Sequence, residues 1–134
     1  MASELRVNTL KDAAGANSVG MAYVAGGSAK TWTNWNGQGT VAIRDSFNTA
    51  SITDNGTGDT TVTVSHAFAN ADFSTVCGRD STLSQTRPKL LNMSRDTALS
   101  TTVSRYLSVE GTGSSTVADE DCEFNFVTIH GDLA

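Results

Sequence analysis

Residues 30–63 read KTWTNWNGQGTVAIRDSFNTASITDNGTGDTTVT, and this stretch decides the fold. Its first segment alternates, placing Thr31, Thr33 and Trp35 on one face and Lys30, Trp32 and Asn34 on the other. A two-residue period is the signature of a strand. The turn Asn36-Gly37-Gln38-Gly39 follows, then a strand over residues 40–44 with Val41 and Ile43 facing together. Residues 46–48 read as an irregular link. Residues 51–54 lead into Asn55-Gly56, whose two residues tolerate positive φ at the centre of a hairpin turn. The return strand, residues 60–65, points Val62 and Val64 inward.

Outward from this stretch the pattern persists. Residues 3–10 alternate, as do 18–24 (SVGMAYV), and both read as strands. Residues 72–78 place Phe73, Thr75 and Cys77 on one face. Pro88 has no N–H to give a ladder, so it opens a strand at a sheet edge over 89–93. Residues 97–110 alternate Leu99, Thr101, Val103, Arg105, Leu107 and Val109 against Ser100, Thr102, Ser104, Tyr106 and Ser108. Leu99, Val103 and Leu107 also stand four apart, but the Ser/Thr load disfavours a helix. Residues 122–130 carry Phe124 and Phe126 on one face and Val127 and Ile129 on the other, the pattern of a strand covered on both sides. About eight strands at roughly ten-residue spacing predict an all-β chain, an antiparallel β-sandwich or barrel.

Composition agrees. Ser and Thr supply 34 of 134 residues, and charged residues only 17%. Thr suits a pleated surface and Ser suits turns. The formal net charge of −5 and the absence of a Lys/Arg cluster argue against a nucleic-acid partner. No apolar run approaches the ~20 residues of a membrane span, which predicts no membrane insertion. The N-terminus carries Glu4, Arg6, Lys11 and Asp12 and lacks the apolar stretch of a secretory signal. Residues 1–28 are rich in Ala and Gly and poor in large apolar groups. They read as an extended N-terminal arm pairing with another chain, or as two edge strands of the domain over 29–134.

Chemistry-bearing constellations are sparse. His66 and His130 are scattered, Cys77 and Cys122 lie in strand-like runs, and no nucleophile elbow occurs. These features predict no catalytic residue and no cofactor. The acidic run Asp119, Glu120, Asp121 and Glu123 lacks calcium-loop spacing and reads as a solvated loop. The two cysteines read as free thiols, with a disulfide as the alternative. Trp32 and Trp35 fall on opposite faces. Either one is exposed to stack on a sugar, or one lies in the core and the other between subunits.

Residues 30–63 also resemble a stretch found in bacteriophage tail-fibre proteins and related virion appendages, notably of marine phages. The opening SELRVNTLKDAAGANSV and the closing VTIHGDLA are similar to parts of the same proteins. Trp35 stands where that family commonly has Phe, and the chain has no shaft of heptads or long repeats. The resemblance implies a homotrimeric structural protein of the virion, assembled in the host cytoplasm. It would contact other virion proteins through the N-terminal arm and contribute to host-cell attachment by binding a surface glycan or protein. A soluble carbohydrate-binding module is the alternative. The polar stretches 79–87 and 111–121 are the expected recognition loops. Arg79, Asp80, Gln85, Arg87, Tyr106 and Asp119 are the expected receptor-contact residues.

Overall fold

Strand-forming alternation produces two antiparallel sheets packed face to face. The structure is a computed structural model that describes residues 3, 5–80, 88–94, 99–112 and 116–134. In chain order the elements are β1 (Thr9–Lys11), β2 (Ser18–Gly20), α1 (Met21–Gly27), β3 (Thr31–Asn36), β4 (Ala42–Phe47), β5 (Thr49–Gly56), β6 (Asp59–Val64), β7 (Ser74–Asp80), β8 (Lys89–Met93), β9 (Val103–Gly111), β10 (Val117–Asp119) and β11 (Phe124–His130).

The first sheet has the order β4-β3-β11-β7 and the second the path β5-β6-β9-β10, with β8 also paired to β9. Strand β8 covers Tyr106–Glu110 of β9, overlapping the registers of both β6 and β10. It therefore takes one edge of β9, while β6 and β10 share the other, end to end. The protein is an all-β antiparallel sandwich, as the alternation predicts.

The core lies between the sheets. Trp35, Val127 and Ile129 come from the first, and Val62, Val64, Leu91 and Tyr106 from the second, with Phe68 from the connection after β6. The Trp35 and Tyr106 rings meet across the gap with centroids 6.1 Å apart. Small polar side chains, among them Thr31, Thr33, Thr60, Ser104, Ser108 and Asn125, share the interior, and Thr33 Oγ1 lies 2.6 Å from Thr49 Oγ1. Burial of the Trp35 face of β3, and of Val62 and Val64, follows the alternation. Cys77 and Cys122 are free thiols.

Several expectations are corrected. Residues 21–27 form a short helix rather than continuing a strand, and strand structure over 3–10 is confined to the end, in β1. Ala22 and Ala25 favour helix, and the α1 backbone closes with Ser28 N donating to Val24 O. Residue Phe47 belongs to β4, so the link between strands is Asn48 alone. The hairpin turn centres on Thr57-Gly58 rather than Asn55-Gly56, because β5 and β6 pair out to Gly56↔Asp59. Strand β9 starts only at Val103. Before it, Ser100 Oγ accepts from Val103 N at 2.9 Å, a local turn that competes with the ladder. Residues 97 and 98 lie outside the described ones. Strand β11 is covered on one side only in a single copy, since Phe126 is 45% exposed.

Candidate recognition surface

The register places the connections at two opposite ends of the sandwich. Strands β3, β5, β7 and β9 start at one end, with Thr31, Thr49, Ser74 and Val103; strands β4, β6, β8 and β11 run the other way. The N-terminal segment enters at the first end, where Lys30 N donates to Ile129 O. At the second end lie the turn after β3, the turn at Thr57-Gly58, the exits of β7 and β9, and residues 120–123.

Asn48 closes the first end. Its φ of 55° is the described left-handed non-glycine position. The side-chain amide donates to Lys30 O at 3.1 Å and to His66 O at 3.2 Å, while Oδ1 accepts from His66 N at 2.8 Å. One side chain thereby ties the starts of β3 and β5 to the segment after β6.

The second end is closed by charge. The Arg79 side chain is 1% exposed and pairs with Glu120. It also donates to Val109 O across the sheets. Lys89 Nζ reaches Glu120 at 3.2 Å and Glu110 at 3.9 Å. Burial pushes the Glu120 carboxyl up, but hydrogen bonds from Arg79 and Lys89 outweigh it and hold the group below its ordinary value. Asp121 Oδ1 accepts from Gly58 N at 2.6 Å. Glu123 pairs with Arg44 at 3.2 Å, and the Arg44 guanidinium lies 4.3 Å from the Phe124 ring centroid. Glu120, Asp121 and Glu123 of the acidic run thus fasten the sandwich, while Asp119 stays exposed. Among the described residues no group of three or more His, Cys, Asp or Glu is placed to hold a metal ion.

The expected receptor-contact residues divide accordingly. Asp80 and Asp119 are exposed at the second end. Tyr106 is fully buried in the core, where burial pushes its hydroxyl up to about 12, and it offers no surface to a partner. Arg79 is an internal fastener for the reason above, and both residues leave the candidate surface. Gln85 and Arg87 lie outside the described residues.

A second surface emerges on the outer face of the first sheet. The registers align Phe47, Trp32, Thr128 and Val76 in one row and Asp45, Asn34, Phe126 and Gly78 in the next. Phe47 is 55% and Val76 66% exposed. Gly78 leaves room for the Phe126 ring, which a Cβ would approach to 2.6 Å unless the ring shifted. The separation of Trp32 from Trp35 signals this face in the sequence, but the alignment of Phe47 and Val76 with it depends on strand order.

Among the described residues no hydrogen bond joins His66 or His130 to a nucleophile: His66 Nδ1 contacts Asn48 Oδ1 at 3.2 Å, and Cys77 Sγ donates to Leu91 O at 3.0 Å. Burial pushes the Cys77 thiol up, away from the reactive thiolate. No helix among the described residues is long and apolar enough to cross a membrane. No protein-family model, curated protein or solved structure matches the chain.

Proposed function

We propose that this chain is a non-enzymatic structural protein of a bacteriophage virion, a tail fibre, short spike or head fibre that contributes to host-cell attachment as a homotrimer. The reading starts from the resemblance of residues 30–63 to virion appendages. The single observation that supports it is the two-ended layout: residues 5–28 join the sandwich at one end, while Asp80, Asp119 and the turn at Thr57-Gly58 lie at the other. A fibre subunit needs that division, with an N-terminal arm held by other virion proteins and loops presented to a host glycan or protein. Loops on a rigid scaffold are the usual carriers of recognition.

Purified virions carrying this gene provide the test. Antibody against the recombinant chain should decorate an appendage in electron micrographs and slow adsorption to the host. Absence of the chain from the particles overturns the reading. A soluble carbohydrate-binding module is the second reading, favoured by the aromatic pair Phe47 and Trp32 on one outer row. It requires glycan binding by a monomer, lost in Trp32→Ala.

A further inference from the structure

We propose that the sandwich encloses structural water at its second end, in a polar layer formed by Trp35, Asn125 and Arg79 on one sheet and Ser108 on the other. The site lies in the interior and is independent of what the chain binds. The registers pair Asn125 with Trp35 on one side and with Arg79 on the other, so the three stand in one cross-strand row. The row faces inward. Trp35 is 1% and Asn125 2% exposed, and the Arg79 side chain reaches Val109 O of the opposite sheet. Each carries a buried polar atom with no hydrogen-bond partner among the described residues: Trp35 Nε1, Asn125 Oδ1 and Arg79 Nε. Ser108 Oγ, buried on β9, likewise has none. A polar group taken out of water without a partner is costly, and buried water is the usual remedy.

Residues 120–123 bring these groups to one place. Glu120 N donates to Ser108 O at 2.9 Å, and Cys122 O accepts from Asn125 Nδ2 at 2.8 Å. Glu120 also pairs with Arg79, so the same segment covers all three. Room follows from side-chain size. Packed sheets stand about 10 Å apart, and a serine and an asparagine are too short to meet across that gap. The next inward side chain of β9 is Tyr106, whose ring meets Trp35 with centroids 6.1 Å apart and holds the sheets apart beside the small Ser108. The donor set selects the occupant. Trp35 Nε1–H and Arg79 Nε–H donate, Asn125 Oδ1 accepts, and the Ser108 hydroxyl does both. An anion would meet the Asn125 carbonyl, and the Arg79 charge it would seek is already matched by Glu120. A cation would meet the Arg79 charge. Water both donates and accepts, and a buried water makes about three such bonds.

The test is water-selective nuclear Overhauser spectroscopy on the isotope-labelled full chain. The chain has two tryptophans, and Trp32→Phe assigns their indole signals. Trp35 Nε1–H should show a cross-peak to water whose rotating-frame sign is opposite to the diagonal, the mark of contact rather than hydrogen exchange. Relaxation dispersion of the water oxygen should register at least one water held longer than the molecule takes to tumble. Ser108→Val removes the hydroxyl and fills its space with a strand-favouring side chain, so it should cut the Trp35 cross-peak by at least half while keeping the β-rich circular dichroism. Absence of either wild-type signal overturns the proposal, and so does a folded Ser108→Val chain with an undiminished cross-peak. Both wild-type signals decide the matter without the variant, should Ser108→Val fail to fold.

Discussion

Asn48 shows how much of this sandwich rests on single side chains. It occupies left-handed backbone and saturates its amide against three partners from the start of β3 and the end of β6. Alanine there should cost about 3 kcal/mol, from left-handed strain of about 1 kcal/mol and the unpaired polar groups left behind. Asn48→Gly keeps the conformation and loses only the hydrogen bonds, so it should recover about 1 kcal/mol of that loss. Urea denaturation of the two variants separates the contributions. Equal midpoints would mean that the backbone conformation is immaterial. Gly58 is a second such position, with φ of 69° and space for a Cβ only 2.5 Å from Ser108 O. Gly58→Ala should destabilise by about 2 kcal/mol or more, read as a lower thermal midpoint, since both strain and backbone collision oppose it.

At the scale of elements, the strands were legible where one face is apolar and the other polar, as in β3 and β6. They were less legible where both faces are mixed. In β9 the apolar row Val103, Leu107, Val109 is the outer one, and the buried row is Ser104, Tyr106 and Ser108. Periodicity alone does not say which row turns inward; the large ring of Tyr106, packed on Trp35, decides it. Arg79 misled for a related reason. A charged residue next to a polar loop reads as solvent-facing, yet its partners come from β9 and the segment before β11, more than 25 positions away in sequence. These fasteners have a pH signature. Hydrogen bonds from Arg105 hold the Asp59 carboxyl low against the opposing effect of burial, and Glu120 is also low. Groups depressed in the folded state give full stability above their unfolded values and lose it as pH falls through the folded ones. The thermal midpoint should therefore fall between about pH 5 and about pH 2. Arg105→Met, which removes the charged donor to Asp59 and leaves only Asn55 Nδ2 at 3.1 Å, should flatten that acid limb, and an unchanged limb would exclude the Arg105–Asp59 pair as its source.

At the scale of the whole molecule, folding and partnership separate by position. Among the described residues the hydrophobic core draws on residues 35–129 and on none before them. The β1-β2 hairpin is a two-stranded ladder three residues long, far below what holds together alone in water. Its exposed apolar side chains stand outside the hydrophobic core, and under the proposed function they form the arm's contact with other virion proteins. Deleting residues 2–28 should accordingly leave the sandwich folded. The thermal midpoint of a dilute sample, below the concentration at which copies associate, should stay within about 3 °C of the full chain, less than the shift from losing ~1 kcal/mol in a domain this size. Under the proposed function the same deletion should prevent incorporation into virions. A truncated chain that unfolds would place residues 2–28 in the folding unit. A truncated chain that still enters particles would show that attachment runs through the sandwich and would reverse the orientation proposed for its two ends.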